Sequence, residues 1–315
     1  MSQLKAAVKR HGKHYTPAAL ADFLAARVLR QLADSGRISL RILDPACGDG
    51  ELLFAVQRMA EEILPAIKLS LVGYDLDADA IGVAQERASE LGITAEWHQG
   101  DFLHIGRTLP AATFDAIITN PPYVRTQQLG QETAQLLASE FKLSGRIDLT
   151  HPFVVMMPSL LRPKGVVGLL CSNRFLTTKA GANMRRVFQT SLDPMEIYDL
   201  GDTKLFSAAV LPAIVIAANR PPRESDICSF ASAYVSDASS VVTEEGLFEA
   251  LTANHDSVVS HEGRTISVRI GTLVRSLSTA EPWRAAYASS DAWLGQIHAA
   301  TWRTFGEIAK IRVGI

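Results

Sequence analysis

Residues 42–50 read Ile42-Leu43-Asp44-Pro45-Ala46-Cys47-Gly48-Asp49-Gly50, which places a glycine-bearing turn directly after a short apolar run. A helix is predicted from about Glu51 onward. In a doubly wound α/β sheet, a strand, a tight turn and a helix in this order bring the backbone close to a ligand. The stretch therefore predicts the fold class and the location of a ligand site.

Short apolar runs alternate with longer amphipathic runs from Leu40 to Ile216. This pattern predicts an α/β fold with a doubly wound, mostly parallel sheet of seven strands covered by helices on both faces. The last two strands are too close in sequence for a crossover helix, so we expect an antiparallel hairpin at the sheet edge. The predicted strands are 41–43, 69–75, 95–98, 116–119, 166–172, 195–200 and 213–218.

A further helix is predicted ahead of the first strand, because apolar residues recur there at helical spacing. Thr16 is expected to be its N-cap, with Pro17 at the first helical position. We expect this helix to pack on the sheet and to present its cap to a ligand. Its apolar positions are Leu20, Phe23, Leu24, Val28 and Leu32.

The composition changes after the pair Pro221-Pro222, where Ser, Ala and Thr become frequent and periodicity weakens. We therefore predict a catalytic domain over residues 1–220 and a linker with part of a second domain over residues 221–315.

The composition, 47% hydrophobic and 20% charged, is typical of a soluble globular protein. The apolar runs are too short to cross a bilayer and no apolar stretch follows the basic N-terminus, so we expect a cytoplasmic protein without membrane insertion.

Its three cysteines, Cys47, Cys171 and Cys228, are scattered singly, which predicts neither a metal site nor a disulfide. Nine Lys/Arg against three Asp/Glu between Tyr123 and Arg186 indicate either a surface for a phosphate backbone or a solvated basic face.

The glycine turn does not fit a phosphate-binding site. A dinucleotide fingerprint requires a third glycine where the chain has Leu53, and the Gly-Lys-Ser/Thr of a P-loop is absent. The carboxylates of Asp44 and Asp49 suit a ligand that carries an ammonium or sulfonium cation. S-adenosylmethionine is such a ligand.

Carboxylates also follow the next two predicted strands. Asp75 is placed to accept the ribose hydroxyls of a cofactor, and Asp101 with Phe102 offers an acceptor and a ring for an adenine. Ordinary turn chemistry explains any one of these residues. Their occurrence at three successive strand ends favours a single ligand site.

The strand at 114–119 runs into Asn120-Pro121-Pro122-Tyr123. Two consecutive prolines stiffen this loop and remove two N–H donors, so the nearby carbonyls face outward. The Asn120 side-chain oxygen and the Pro121 carbonyl are expected to accept both amino protons of an adenine, which localises the N6 lone pair for attack on a methyl donor. Tyr123 would stack on a base flipped out of a duplex. A rigid turn is the structural alternative.

The order of these elements resembles the adenine-N6 DNA methyltransferases of restriction-modification systems, in the branch where the cofactor motifs precede the catalytic loop. The resemblance covers roughly Gly12 to Asn219. It implies a class I, Rossmann-like methyltransferase fold, S-adenosylmethionine as cofactor, double-stranded DNA as substrate and no metal. The cofactor-binding residues expected from the motifs are Tyr15, Thr16, Asp44, Pro45, Ala46, Cys47, Gly48, Asp75, Leu76, Asp101, Phe102 and Asn120.

Two features depart from that family. The stretch Lys179–Asn183 lacks the second aromatic residue that would sandwich the adenine, and Phe175 is either its substitute or a core residue. The segment Arg220–Ile315 is shorter than a full recognition domain, and residues 308–315 resemble only its opening. We expect a truncated or split protein that binds cofactor and methylates with little sequence specificity alone. A nuclease, a specificity partner or a missing C-terminal recognition domain are the open partners.

Two alternatives stay open. Protein glutamine N5-methyltransferases also use Asn-Pro-Pro-Tyr, on a planar amide nitrogen. A non-catalytic DNA-binding or specificity subunit that retains the fold is the other; the intact loop at Asn120–Tyr123 argues against it.

Overall fold

The computed structural model describes residues 16–124, 130–205, 211–237, 242–243, 245–275, 278, 281–287, 293, 295–297, 299–303 and 305–308. Its strands are β1 Ser39–Asp44, β2 Lys68–Asp75, β3 Ala95–Gln99, β4 Phe114–Thr119, β5 Leu161–Ser172, β6 Leu192–Asp199, β7 Pro212–Asn219, β8 Ser229–Val235, β9 Ser257–His261, β10 Arg264–Val274 and β11 Arg284–Ala286. Its helices are α1 Ala18–Leu32, α2 Glu51–Ile63, α3 Ala78–Leu91, α4 Phe102–Ile105, α5 Gln131–Glu140, α6 Thr150–Leu160, α7 Arg174–Thr177, α8 Ala182–Thr190, α9 Leu247–Thr252 and α10 Phe305–Ile308.

All these strands belong to one sheet with the order β11-β10-β8-β6-β7-β5-β4-β1-β2-β3, and β9 pairs with β10. The half from β5 to β3 is parallel throughout. β7 runs antiparallel between β5 and β6, which confirms the predicted hairpin. The predicted fold class is confirmed, and each of the seven predicted strands is present.

The number of strands is larger than the predicted seven, because β8 to β11 extend the sheet. β8 pairs in parallel with β6, and β10 then pairs antiparallel with β8. The sheet therefore continues past residue 220. The division into residues 1–220 and 221–315 stays a prediction. Of residues 308–315, which resemble the opening of a recognition domain, all but Ile308 lie outside the described residues.

The central strands are largely apolar, because helices cover both faces of the sheet. All six residues of β4 are buried, and α1 packs directly on β5. At Gly168 in β5, an added Cβ would lie 2.4 Å from the Val28 side chain. Glycine at this position lets the helix approach the sheet closely.

The N-terminus of α1 differs from the prediction. Pro17 is the N-cap residue and no side chain caps the helix, so the expectation that Thr16 caps it was wrong. The Thr16 hydroxyl instead accepts a hydrogen bond from the Asn120 side-chain amide at 3.1 Å. Thr16 therefore joins the start of α1 to the loop after β4.

Candidate active site

The glycine turn after β1 is fastened to the end of β2. The Cys47 N–H donates to the Tyr74 carbonyl at 2.8 Å, and the Gly48 N–H donates to Asp75 Oδ2 at 2.8 Å. Gly48 has a positive φ of 54°, and a Cβ added there would meet nothing within 4 Å. The turn therefore has open space beside its backbone at Gly48, as a ligand-binding turn requires.

The glycines on either side of this space have a different role. A Cβ at Gly50 would lie 2.8 Å from the Phe54 ring, and one at Gly73 would lie 2.6 Å from Trp97. Aromatic side chains already fill these positions. Glycine at position 50 is therefore needed for packing, and the open space of the turn lies at Gly48.

Asp44 is a buried carboxylate at the end of β1. Its Oδ1 accepts the Ala46 N–H at 3.0 Å, whereas Oδ2 has no hydrogen-bond partner of standard geometry among the described residues. Burial raises the pKa of Asp44 to about 7. The backbone hydrogen bond from Ala46 and a side-chain interaction with Thr119 oppose this rise, and the negative charge of Asp75 adds to it. A buried acceptor without a donor is costly, so this oxygen favours a cationic donor ligand.

Asp49, the other carboxylate predicted at the turn, is already neutralised. Arg87 donates to Asp49 Oδ2 at 2.8 Å and also pairs with Glu51. Of the two, Asp44 is therefore the one left to face a cation.

The strand-end residues of β2 and β3 lie on the same edge of the sheet. Asp75 Oδ1 accepts the Asp77 N–H at 2.8 Å, so its carboxylate is held rigidly between two turns. Asp101 caps α4 by accepting the Leu103 N–H at 3.0 Å. Phe102 is buried, with its ring 5.2 Å from Tyr74 and 6.2 Å from Phe153. Its ring is mainly part of the core.

The loop after β4 holds the Asn120 side chain by both ends. Its Nδ2 donates to Thr16, and its Oδ1 accepts the Tyr123 hydroxyl at 2.5 Å. The Pro122 carbonyl accepts the Thr150 hydroxyl at 3.4 Å, whereas the Pro121 carbonyl accepts no hydrogen bond from the described residues. An amide oxygen has two lone pairs. Asn120 Oδ1 is therefore held in place and keeps one lone pair, and the Pro121 carbonyl has no donor among the described residues.

A cavity of about 300 Å³ adjoins this loop. It lies between Tyr123, the start of α6 and the segment after β5, and its walls include Tyr123, His151, Cys171 and Phe175. Pockets for small ligands begin at about this size. Tyr123 and Phe175, the two residues predicted to stack on a base, thus line one cavity.

Phe175 is held in the cavity wall by a buried arginine. Arg185 is fully buried and donates to the carbonyls of Phe175 and Thr178, the former at 2.5 Å. Burial lowers the pKa of Arg185. A Cβ on Gly181 would lie 2.3 Å from the Phe175 carbonyl, so small residues in the stretch 179–183 let α8 pack against this segment.

His151 and two arginines of the cavity were not predicted as site residues. Arg146 and Arg174 are exposed, line the cavity and form no ion pair with a described acidic residue. The loop with Arg146 is anchored by Asn183, whose side chain bonds the Ser144 N–H at 3.1 Å and its carbonyl at 2.9 Å. Their proximity to Tyr123 depends on tertiary structure, and the local basic excess was the only sequence signal.

The basic residues between Tyr123 and Arg186 do not form one surface. Arg162 and Lys164 lie near the start of β5, and Arg162 pairs with the buried Asp115 at 2.8 Å. Arg146 and Arg174 lie at the other end of the sheet, beside the cavity. Of the basic residues in this stretch that the structure describes, Arg146 and Arg174 are the two that line the cavity.

Tyr15 lies outside the described residues. In the part of the chain that the structure describes, no three His, Cys, Asp or Glu side chains are arranged to hold a metal ion. Within the same residues, no helix is both long and apolar enough to cross a membrane.

Comparison with known proteins shows which family and which proteins this chain resembles. Residues 60–206 match the Eco57I restriction-modification methylase family. The chain is 37% identical over 98% of its length to the type II methyltransferase M.BanIII from Aneurinibacillus aneurinilyticus, and it spans 57% of that protein. The chain thus covers little more than half of this relative.

Two other similarities are more limited. Over 33% of this chain and 41% of the relative, it is 34% identical to the release factor glutamine methyltransferase of Moorella thermoacetica. A Listeria monocytogenes protein assigned to the class I S-adenosylmethionine-dependent methyltransferases superposes with a TM-score of 0.57 at 22% identity, over 73% of this chain and 70% of the other. This last similarity establishes the class I methyltransferase fold.

Proposed function

We propose that this chain, which carries a restriction-modification methylase domain of the Eco57I family, transfers a methyl group from S-adenosylmethionine to N6 of an adenine flipped out of double-stranded DNA. The observation that carries the proposal is the pair of acceptors at Asn120 and Pro121, next to a cavity lined by Tyr123 and Phe175. The similarity to M.BanIII over 98% of the chain supports DNA as the substrate.

The residues at the strand ends fit the proposed cofactor. The buried Oδ2 of Asp44, which has no hydrogen bond of standard geometry, would suit the ammonium group of the methionine end, and the backbone at Gly48 has open space beside it. Asp75 would hold the ribose and Asp101 the adenine, since the two carboxylates lie at the ends of neighbouring parallel strands, at the same edge of the sheet. Thr16 lies beside Asn120 and would contact the methionine end. Pro45, Ala46, Cys47, Leu76 and Phe102 would complete the surface around it.

When bound, S-adenosylmethionine supplies an electrophilic methyl group on a sulfonium. The adenine N6 lone pair is delocalised into the ring and is a weak nucleophile. Asn120 Oδ1 and the Pro121 carbonyl would accept the two amino protons and localise this lone pair, and Tyr123 would hold the ring by stacking. The extra proton can leave after methyl transfer, so the site needs no strong base beforehand. Catalysis then consists of positioning and fixed acceptors.

The Tyr123 hydroxyl adds a feature to this scheme. It occupies one lone pair of Asn120 Oδ1 and holds the amide in place. The amide oxygen keeps a second lone pair for the substrate amine. Tyr123 would therefore both orient Asn120 and stack on the base.

A test measures radiolabelled methyl transfer from S-adenosylmethionine to unmethylated duplex DNA and, in parallel, to a glutamine-bearing peptide. We expect the label to appear in the DNA. Sequencing of DNA from cells that express the protein should then locate the methyl group on N6 of adenine. Asn120→Ala should lower the transfer rate by at least about 100-fold because a preorganised acceptor is lost, while cofactor affinity stays nearly unchanged.

Other outcomes would contradict the proposal. Label in the peptide alone would favour the glutamine methyltransferase alternative, which the partial similarity to the release factor enzyme represents. An ordered chain that fails to bind S-adenosylmethionine would favour a non-catalytic DNA-binding subunit. Full activity of Asn120→Ala would rule out the acceptor pair.

A further inference from the structure

His151 is a buried histidine in the wall of the cavity. It lies in the first turn of α6, only 4% exposed, and lines the cavity together with Tyr123 and Phe175. The start of α6 is tied to the catalytic loop, because the Leu149 N–H donates to the Val124 carbonyl at 2.9 Å. The Thr150 hydroxyl reinforces this link through the Pro122 carbonyl. The imidazole is therefore held at a fixed position relative to Asn120.

The hydrogen bonds of His151 define which nitrogen carries its proton. Nδ1 accepts the Asp148 N–H at 3.4 Å, so the lone pair is on Nδ1. Burial lowers the pKa of His151 to about 4, and the ring is neutral near pH 7. Its single N–H is then on Nε2. This N–H donates to no described residue.

A donor on a buried side chain that lines a cavity is stable only when a ligand or water satisfies it. A flipped adenine carries ring nitrogens that accept hydrogen bonds, in addition to its amino group. Asn120 Oδ1 and the Pro121 carbonyl offer acceptors alone, so they satisfy the amino group and leave the ring nitrogens without donors. His151 supplies the kind of group that the acceptor pair lacks.

We infer that His151 is a specificity-determining residue of this site, and that its Nε2–H donates a hydrogen bond to a ring nitrogen of the target adenine. This inference rests on the proposed function. It assigns the amino group to the catalytic loop and the ring edge to α6. A base without a ring acceptor at the matching position would leave the donor unpaired and would be disfavoured.

The position of the donor can be tested with two substitutions of similar size. Gln places its amide nitrogen near the position of Nε2, whereas Asn places it near Nδ1, so His151→Gln retains the donor and His151→Asn removes it. We expect His151→Asn to lower kcat/KM for DNA about 10- to 100-fold, since one hydrogen bond to a buried group is lost, and His151→Gln to recover most of it. Cofactor affinity and Tm should change little. The control is His255→Asn, at an exposed histidine.

The ring nitrogen is identified with duplexes in which the methylated adenine is replaced by 1-deaza-, 3-deaza- or 7-deazaadenine. With the wild-type chain, one analogue should lower kcat/KM by the same factor as His151→Asn. The variant should lose nothing further on that analogue, because both changes remove the same hydrogen bond.

Three results would overturn the inference. The first is an unchanged kcat/KM of His151→Asn on normal DNA. The second is an unchanged kcat/KM of the wild-type chain on all three analogues. The third is that, for every analogue, the decrease caused by the analogue adds to the decrease caused by His151→Asn. The wild-type measurements do not depend on how well a variant folds. If the wild-type chain binds cofactor but methylates no DNA, the proposed function itself fails; if it methylates DNA without regard to His151, this inference alone fails.

Discussion

The phenol of Tyr123 donates a 2.5 Å hydrogen bond to the side-chain oxygen of Asn120, three residues earlier in the same loop. Because Thr16 holds the amide nitrogen of Asn120 from the other side, the amide plane is fixed. The orientation of the Asn120 amide therefore depends on Tyr123, so the two roles proposed for these residues are coupled.

Tyr123→Phe tests this dependence. The variant keeps the ring and removes only the hydroxyl, so we expect the methyl-transfer rate to fall about tenfold, the value of one orienting hydrogen bond. Cofactor affinity should stay the same. Tyr287→Phe, which removes a hydroxyl bonded to Ser232, is the control for loss of a tyrosine hydroxyl elsewhere. An unchanged rate for Tyr123→Phe would show that the bond does not orient Asn120.

Cofactor binding should depend on the protonation of Asp44. Its folded pKa of about 7 means that the carboxyl is largely neutral below that pH and must lose a proton to pair with an ammonium. Affinity for S-adenosylmethionine should thus rise with pH, by up to about tenfold per unit below pH 7. Calorimetry in buffers of different ionisation enthalpy would measure the proton released. Asp44→Asn should bind more weakly and show no such pH dependence.

The same carboxyl should affect folding in the opposite direction. Because the folded pKa of Asp44 is raised above its ordinary value of 3.8, the folded chain binds this proton more tightly than the unfolded chain does. Protonation of Asp44 therefore adds to the free energy of unfolding at low pH, and this stabilising contribution is lost as pH rises from about 4 to 7. Without cofactor, Asp44→Asn should raise Tm at pH 8 relative to the wild type. Equal Tm values for Asp44→Asn and the wild type would show that the buried charge of Asp44 does not destabilise the folded chain.

Arg146 and Arg174 should bind the DNA backbone beside the flipped base. Both are exposed at the cavity and unpaired with any described acid. Replacing either by Gln should weaken DNA binding and reduce the slope of log affinity against log salt by about one. Fluorescence anisotropy over a salt series measures this slope. Lys164→Gln, at the opposite end of β5, is the matched control, and an equal effect there would indicate a purely non-specific charge effect.

Two glycines should respond oppositely to alanine. Gly73→Ala brings a Cβ within 2.6 Å of Trp97, so we expect overpacking to lower the free energy of unfolding by about 1–3 kcal/mol. Gly82, within α3, has nothing within 4 Å of an added Cβ. Gly82→Ala should raise the free energy of unfolding by about 0.5–1 kcal/mol, because alanine favours the helix. Chemical denaturation of both variants measures the difference, and a stabilised Gly73→Ala would contradict the packing described here.

The elements that the sequence predicted well are local ones. The turn at residues 42–50 and the loop at 120–123 combine an apolar strand with glycine or proline, and such signals need no knowledge of distant residues. The bond between Thr16 and Asn120, by contrast, joins residues 104 positions apart, so no local pattern predicts it. The roles of Gly50 and Asp49 also depended on partners distant in sequence, Trp97 and Arg87.

The strands beyond residue 220 were missed for a different reason. In β10, the buried residues Ile266 and Val268 alternate with polar residues such as Ser267 and Arg269. This alternation has the period of a strand with one buried face. The frequent Ser, Ala and Thr around it concealed the pattern. The alternation of apolar and polar residues at every second position is by itself enough to predict β10 from the sequence.

The parallel pairing of β8 with β6 also affects how the catalytic region can be isolated. A fragment ending at residue 220 would leave the amide and carbonyl groups along one side of β6 without partners, on a strand whose side chains are mostly buried. Exposed edges of this kind recruit other chains and cause aggregation. Expression trials should therefore keep β8 and β10, even when only methyl transfer is of interest.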